Sequence, residues 1–174
     1  IPGKTQNEIS KVLKDSDDKV KLGFGNKHVI IKSENYTIIS RLIEGEFLSY
    51  KQIIPQEFKV SVSTDCMEFL RCIERAEPII EDFSKNPIHV IFDEGCIKIK
   101  CETSMGQVSD SISADYHGDE LEIGFNYKYL HDAISRCEGE EVIFKINSAL
   151  NPFIIEDKDD ESILFMVLPV RLKN

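Results

Sequence analysis

The sequence predicts an α+β fold with antiparallel sheets and one layer of helices. Three observations predict it. A short amphipathic helix followed by a run of strands recurs about three times, at intervals of roughly 60 residues. Each run alternates apolar and polar residues between polar turns, which is typical of half-buried antiparallel strands. The 174-residue chain is 41% hydrophobic and 30% charged, a composition with enough apolar side chains for a core.

The first repeat predicts a helix over residues 6–13, followed by three strands. Thr5 and Glu8 have the spacing of a capping box, in which a hydroxyl and a carboxylate satisfy free amides at a helix start. Apolar side chains recur at i, i+3 and i+4 from Ile9, opposite a cationic face. The predicted strands are a half-buried one through Val20, Leu22 and Phe24, one at 29–31 after a Gly25–Asn26 turn, and one at 36–39.

The second repeat follows a connector at residues 44–55. We expect Asp65 to cap a helix over 67–75, because Glu68 follows it at the favourable spacing. Pro78 should lie at or just past the end of that helix, since its ring cannot sit inside a regular helix. The predicted strands are one through Phe58, Val60 and Val62, two at 88–92 and 97–101 around the Asp93–Gly95 turn, and a polar one at 108–112.

The third repeat predicts a strand at 121–125, a helix at 127–134 capped by Asn126, and three further strands at 142–146, 153–155 and 163–168. The last strand is apolar on both faces, so we expect it to be fully covered. The acidic run 157–161 is typical of a solvated hairpin tip. A boundary near residue 56 then leaves half of a two-repeat domain before it and one complete two-repeat domain after it.

No motif predicts an active site, a metal site or a cofactor. The five cysteines are odd in number and include no C-x-x-C pair, so we expect reduced, mostly buried thiols in a cytosolic protein. The Gly3-Lys4-Thr5 segment imitates the end of a phosphate-binding loop but precedes an antiparallel pattern. The Asp15-x-Asp17 segment begins like a calcium loop, in which Val20 replaces the required glycine. A repeat without a catalytic cluster favours a non-enzymatic scaffold.

No segment predicts a signal peptide or a membrane span, because no apolar stretch has the necessary length. The first residue is Ile1 rather than Met, so we expect the chain to be a piece of a longer protein.

The charge is unevenly distributed. The chain has a net charge of −10, which by itself argues against nucleic acid as a partner. The three predicted helices with their flanking residues carry about +3, so the remainder must carry about −13 to give that total. An acidic body with cationic helices can still present a positive face to phosphates. Charge counting alone favours the alternative, ordinary solvated helix faces.

The C-terminal residues have two open interpretations. An apolar strand runs straight into Pro169, Val170, Arg171 and Leu172, whereas a buried strand usually exits into polar loop residues. An apolar tail with one arginine is compatible with a surface groove for an extended peptide of a partner. Simple packing against the domain explains it equally well.

Four segments together resemble the bacterial DNA polymerase III beta subunit family, the sliding clamps. They lie in order across the chain, at spacings that need almost no gaps. These segments are Ile1–Lys11, Ser40–Phe47, Glu122–Tyr129 and Leu168–Leu172.

The resemblance implies the clamp fold, with helices on one face and sheets on the other. Two subunits of the family close head-to-tail into a ring around duplex DNA, as a non-catalytic processivity factor without a cofactor. Residues 1–56 would be the C-terminal half of the middle domain, and residues 57–174 the complete last domain.

The resemblance also implies three sets of site residues. The family holds linear motifs of DNA polymerase, the clamp loader and repair proteins in a peptide groove, which here takes in Ile53, Asn126, Tyr129, Leu150, Met166, Val167, Leu168, Pro169, Val170, Arg171 and Leu172. The expected DNA-facing residues are Lys4, Lys11, Lys14, Arg71, Arg75 and Lys128. The homodimer contact implicates Pro78 and Ile79.

Two rival functions stay open on the residues alone. One is a nucleotide-using enzyme that employs the Gly3-Lys4-Thr5 segment, for which micromolar ATP binding would be the evidence. The other is a peptide-binding module unrelated to DNA. The family resemblance favours the clamp, a cytoplasmic protein that partners double-stranded DNA without sequence specificity and has no membrane partner.

Overall fold

The computed structural model describes residues 1–13, 19–80 and 86–172. Lys14 and the Asp15–Asp17 segment therefore lie outside the described residues. The chain forms two compact units, unit 1 over Ile1–Ser49 and unit 2 over Tyr50–Asn174.

The elements follow the predicted order of helices and antiparallel strands. The helices are α1 (Gly3–Val12), α2 (Tyr50–Ile53), α3 (Cys66–Glu74) and α4 (Tyr127–Ile134), with a short 3-10 turn at Glu77–Ile79. The strands are β1 (Lys21–Phe24), β2 (His28–Lys32), β3 (Thr37–Arg41), β4 (Val60–Asp65), β5 (Ile88–Asp93), β6 (Cys96–Thr103), β7 (Gly106–Ser113), β8 (Leu121–Phe125), β9 (Glu141–Ile146), β10 (Phe153–Asp157) and β11 (Leu164–Val167).

Within residues 1–13 and 19–49, unit 1 has one helix and a three-stranded antiparallel sheet of order β1-β2-β3. Val29 and Ile31 are buried on one face of β2. The capping box predicted at Thr5 is wrong, because α1 already begins at Gly3 and has no side-chain cap. The Thr5 hydroxyl instead hydrogen-bonds to the Ser40 hydroxyl, with 2.7 Å between the oxygens. The Thr5 hydroxyl, which the local pattern assigned to capping the helix, is therefore used in a contact with strand β3.

Strand β1 is exposed along its whole length, although alternation predicted a half-buried strand. Leu22 and Phe24 are 60% and 66% exposed, and they lie on the same face of the sheet as the buried Val29 and Ile31. The pattern predicted correctly which residues share a face, but no described residue covers that face at β1.

Unit 2 contains two four-stranded sheets of order β7-β6-β5-β8 and β11-β10-β9-β4. In each sheet, three consecutive strands follow one helix, and the fourth strand precedes the other helix. Strands β5 to β7 follow α3, and β5 pairs with β8. Strands β9 to β11 follow α4, and β9 pairs with β4. The two halves of unit 2 therefore exchange a strand, and every pairing is antiparallel.

One apolar core joins α3, α4 and both sheets of unit 2. Five phenylalanines at its centre stack edge-to-face or tilted, with ring centroids 4.8 Å apart for Phe125 and Phe153 and 5.2 Å apart for Phe144 and Phe153. The five are Phe69, Phe92, Phe125, Phe144 and Phe153. The predicted caps are confirmed: Asp65 accepts the amide of Glu68 at 2.7 Å, and Asn126 accepts the amide of Lys128 at 3.0 Å. Both helices keep one exposed face, so neither is sandwiched between layers.

One prediction about the C-terminal part is wrong, and a second holds except at one residue. Strand β11 is not fully covered: among the described residues it pairs only with β10, at the edge of its sheet, and Val167 is its one buried residue. Composition alone does not distinguish an edge strand from a central one. The acidic run is not wholly solvated either, since the side chain of Asp157 is buried and accepts backbone amides of the preceding loop.

Candidate functional site

The predicted groove residues divide between two cavities of unit 2. The first lies between α4 and β11, has a volume of about 370 Å³, and is lined by Tyr129, Asp132, Ala133, Arg136, Phe165, Met166, Val167 and Leu168. The second has a volume of about 430 Å³ and is lined by Glu122, Gly124, Ala149, Leu150, Val170, Arg171 and Leu172. Pro169 connects the two stretches of tail. Ile53 in α2 and the cap residue Asn126 line neither cavity.

The first cavity is mainly apolar. Tyr129 and Leu168 are more than half exposed at its mouth, and Met166 is partly buried. Asp132 and Arg136 place one charge of each sign at the rim. An open apolar cavity with a few polar groups at its edge is the usual form of a binding site. Beside it, β11 pairs on one side only among the described residues, so backbone groups on its other side are available to an extended chain.

The second cavity depends on the path of the C-terminal tail. After β11 the chain crosses to the other sheet, where the amide of Val170 donates to the carbonyl oxygen of Gly124 at 2.8 Å. Gly124 permits this approach because a β-carbon there would lie 2.9 Å from the Val170 carbonyl oxygen and would overlap Leu172. Sequence reasoning missed Gly124, although a glycine inside a strand is a known signal of close backbone approach.

The predicted DNA-facing residues are exposed where the structure describes them, but they are not equivalent. Lys11 forms an ion pair with Glu8 at 2.8 Å, and Lys4 has no ion-pair partner among the described residues. Arg71 and Lys128 are also exposed and without such a partner in the described ranges.

Arg75 is tied to the sheet instead. Its Nε donates to Asp110 Oδ2 in β7 at 2.5 Å, and its guanidinium also contacts the sulfur of Cys72 at 3.0 Å. The Asp110 carboxylate therefore neutralises much of the charge that Arg75 would offer to a phosphate.

The helices themselves are less cationic than the sequence analysis predicted. Within their observed bounds, α1 carries one net positive charge, α3 one net negative charge and α4 none. The predicted excess came from flanking residues: Lys14 is outside the described residues, and Arg75 and Arg136 follow the helix ends. Strands β1 to β3 contain three cations and no carboxylate, a positive surface that the helix-based count overlooked.

The predicted dimer-contact residues lie in the 3-10 turn after α3. Pro78 is exposed, whereas Ile79 is partly buried against the core of unit 2. Of these two residues, Pro78 has the side chain that is more available to a partner subunit.

Two further features bear on possible ligands. Across residues 1–13, 19–80 and 86–172, no group of His, Cys, Asp or Glu side chains is arranged to hold a metal ion. In the same ranges, no helix combines the length and the apolar composition needed to cross a bilayer.

Two family models match the chain in order. The central domain of the DNA polymerase III beta subunit matches residues 1–48, and its C-terminal domain matches residues 51–171. Among curated relatives, the beta sliding clamp of Staphylococcus aureus is 30% identical over 173 residues, which is 98% of this chain and 46% of that protein.

Solved structures of sliding clamps share the fold. The clamp of Bacillus subtilis is 33% identical with a TM-score of 0.83, over 99% of this chain and 46% of that one. The DNA polymerase III subunit beta of Pseudomonas aeruginosa is 25% identical with a TM-score of 0.85, over 99% of this chain and 47% of that one. The chain thus spans about half the length of the relatives it matches.

Proposed function

Because this chain belongs to the DNA polymerase III beta subunit family, we propose that it is part of a sliding clamp, a non-catalytic processivity factor of bacterial DNA replication. The observation that carries the proposal is the match of two successive domain models, in order, to nearly the whole chain. We place the protein in the cytoplasm, where bacterial chromosomal DNA is replicated.

We assign residues 1–56 to the second half of a clamp middle domain and residues 57–174 to a complete last domain. An internal comparison supports the first assignment. Phe24 pairs with Val29 in the β1–β2 hairpin as Phe92 pairs with Ile97 in the β5–β6 hairpin. Phe92 is fully buried and Phe24 is exposed. Strand β1 thus has the core positions of a domain half whose other half is absent from this chain.

The mechanism we propose is tethering. A ring linked topologically to duplex DNA keeps a bound polymerase at high local concentration on its template. Scattered cations such as Lys4, Arg71 and Lys128 attract the phosphate backbone without reading bases, and this permits sliding. In the complete protein, two subunits close the ring, and Pro78 and Ile79 take part in that contact.

We further propose that the two cavities are one side of a groove for linear motifs of DNA polymerase, the clamp loader and repair proteins. Apolar side chains around Leu168 would receive leucine and phenylalanine anchors, while Arg171 and the unpaired edge of β11 orient the peptide backbone. The rest of the groove would belong to the missing half of the middle domain, so this chain alone should bind such peptides weakly.

Retention on DNA tests the proposal as a whole. The complete protein, loaded onto a nicked circular plasmid by a clamp loader, should remain bound during gel filtration and dissociate once the plasmid is cut. Equal retention on circular and linear DNA would refute topological linkage. Absence of any retention, with peptide binding intact, would favour a peptide-binding module unrelated to DNA.

Titration with a labelled peptide tests the groove. Leu168→Ser in the complete protein should weaken binding of a polymerase-derived peptide about 10-fold or more, because it removes an exposed apolar anchor site. Deletion of Leu168–Leu172 should abolish binding. Met105→Ser is the matched control, since Met105 is 65% exposed and Leu168 62% exposed. Equal affinities of the Leu168 and Met105 variants would contradict the assignment.

A further inference from the structure

Two cysteines from different halves of unit 2 lie next to each other after the end of α4. Cys66 is the first residue of α3, and its Sγ lies 3.8 Å from the carbonyl oxygen of Ile134 and 4.0 Å from that of Cys137. Cys137 follows the end of α4, and its Sγ lies 3.8 Å from the carbonyl oxygen of Ala133. The Cys66 sulfur therefore lies beside the backbone of Cys137.

The backbone holds this arrangement in place. The amide of Cys66 donates to the carbonyl oxygen of Glu140 at 2.9 Å, so the start of α3 is tied to the loop that carries Cys137. Cys66 is buried, whereas Cys137 is partly exposed. The two residues are therefore held close in space, with Cys137 nearer to the surface than Cys66.

The local electrostatics favour ionisation of Cys66. A hydrogen bond from the Cys137 thiol lowers the pKa of Cys66, against the opposing effects of burial and of the Asp157 and Asp65 carboxylates. The same hydrogen bond, together with burial, raises the pKa of Cys137. The first turn of α3 adds the partial positive charge of a helix start, which stabilises a thiolate.

We propose that Cys66 and Cys137 are an oxidation site, at which hydrogen peroxide converts the two thiols into a reversible disulfide between the halves of unit 2. The Cys66 sulfur attacks one peroxide oxygen, the O–O bond breaks, a sulfenic acid forms, and water leaves with the thiol proton. The Cys137 sulfur then displaces the hydroxyl from the sulfenic sulfur, and a second water leaves. Two thiols and one peroxide give one disulfide and two water molecules.

The other cysteines lack this arrangement. Burial and the nearby Asp110 carboxylate raise the pKa of Cys72 to about 11, which keeps it as an unreactive thiol. Cys101 is also buried, with its pKa raised by burial. Cys96 is partly exposed and serves as the matched control, because its thiol has no sulfur partner among the described residues.

The link would close a loop between residues separated by 71 positions in sequence. Such a link restricts the unfolded chain more than a short loop would, so the oxidised protein should unfold at a higher temperature than the reduced protein. The effect is independent of the clamp assignment, since it requires only the fold of unit 2.

The test is peroxide treatment of the folded chain, followed by alkylation of free thiols and mass spectrometry of the intact protein and its peptides. Oxidised protein should keep three of its five thiols, yield a linked peptide containing Cys66 and Cys137, and regain all thiols and its original unfolding temperature with dithiothreitol. Retention of all five thiols, a link between other cysteines, or sulfinic acid without a link would each overturn the proposal.

Variants separate the pair from general oxidation. Cys137→Ser should abolish the link, while Cys96→Ser should leave its rate and yield unchanged. Cys137→Val provides a second variant if the serine destabilises the fold, which circular dichroism would detect. A link that still forms in both Cys137 variants would also overturn the proposal.

Discussion

At the scale of single residues, Asp157 differs most from what its neighbours in sequence suggest. It lies in a run of acidic residues, yet it is only 3% exposed. Its carboxylate accepts the amides of Glu138 at 2.8 Å, Gly139 at 2.9 Å and Asp159 at 2.9 Å. These hydrogen bonds lower the pKa of Asp157. A β-carbon at Gly139 would overlap the carboxylate, so this loop requires glycine there.

Asp157→Asn should lower the free energy of unfolding at pH 7 by about 2 kcal/mol, because hydrogen bonds to a charged acceptor are lost. Since the folded-state pKa lies below the ordinary value of 3.8, the stabilisation is complete above that value and disappears as pH falls through the folded pKa. Urea titrations at pH 7 and pH 3 measure the difference. The exposed Asp119→Asn is the control, and a deficit of equal size at both pH values would contradict the account.

Gly124 is a second residue whose role follows from one close approach. Gly124→Ala should displace the tail, because the added methyl group would meet the Val170 carbonyl oxygen at 2.9 Å. We expect faster hydrogen exchange at the Val170 amide and weaker peptide binding by the complete protein, with unit 2 still folded. Gly3→Ala is the control, since nothing lies within 4 Å of a β-carbon there. Unchanged exchange at Val170 would show that the tail tolerates the methyl group.

At the scale of elements, most local signals predicted the structure correctly, with the capping box at Thr5 as the exception. The caps at Asp65 and Asn126 were predictable because a carboxylate or amide two or three residues before a free amide needs no distant partner. The caps, alternation and turns indicated every helix of eight or more residues and every strand, although α1 begins three residues earlier than predicted. The role of Thr5 depends on its contact with Ser40, and the exposure of β11 depends on its edge position in the sheet. Neither can be read from a local sequence pattern.

The candidate site was predictable only through the family resemblance. Residue patterns alone left groove and packing equally open for the tail. Gly124 inside its strand indicated a close backbone approach, but not which segment would make it. The charge argument also depended on helix bounds, since Arg75 and Arg136 lie past the helix ends and account for two of the three predicted positive charges. Ion pairs such as Arg75 with Asp110 join residues 35 positions apart and cannot be inferred from spacing.

The helix face supports a prediction that distinguishes two arginines. In the complete protein, Arg71→Ala should reduce the slope of log affinity for duplex DNA against log salt by about one, because one phosphate contact is lost. Arg75→Ala should change this slope less, since Asp110 already neutralises its charge. Fluorescence anisotropy across a salt series measures both. A larger effect of Arg75 would mean that its ion pair opens on DNA.

At the scale of the whole molecule, the two units differ in how completely they bury their apolar faces. Unit 2 covers its core positions with two helices and two sheets. Unit 1 leaves Leu22 and Phe24 exposed. The difference supports the assignment of unit 1 as half a domain and predicts that one substitution has different effects in two contexts.

Phe24→Ser should change the stability of this chain by no more than about 0.5 kcal/mol, as for an ordinary exposed position. In a protein that also carries the preceding half of the middle domain, it should cost about 3 kcal/mol or more, because a buried phenylalanine is lost. Chemical denaturation of both proteins measures this. Ile39→Ser, on the opposite and exposed face of the sheet, is the control. An equally small effect in both proteins would refute the half-domain assignment.

Each half of unit 2 contributes one strand, β4 or β8, to the sheet of the other half, and this exchange has a consequence for proteolysis. Neither half of unit 2 holds a complete sheet, so a protease that nicks the loop at residues 114–120 should not release two separate domains. The two fragments should remain associated through the β4–β9 and β5–β8 strand pairings. After denaturation, they should refold only when both fragments are present.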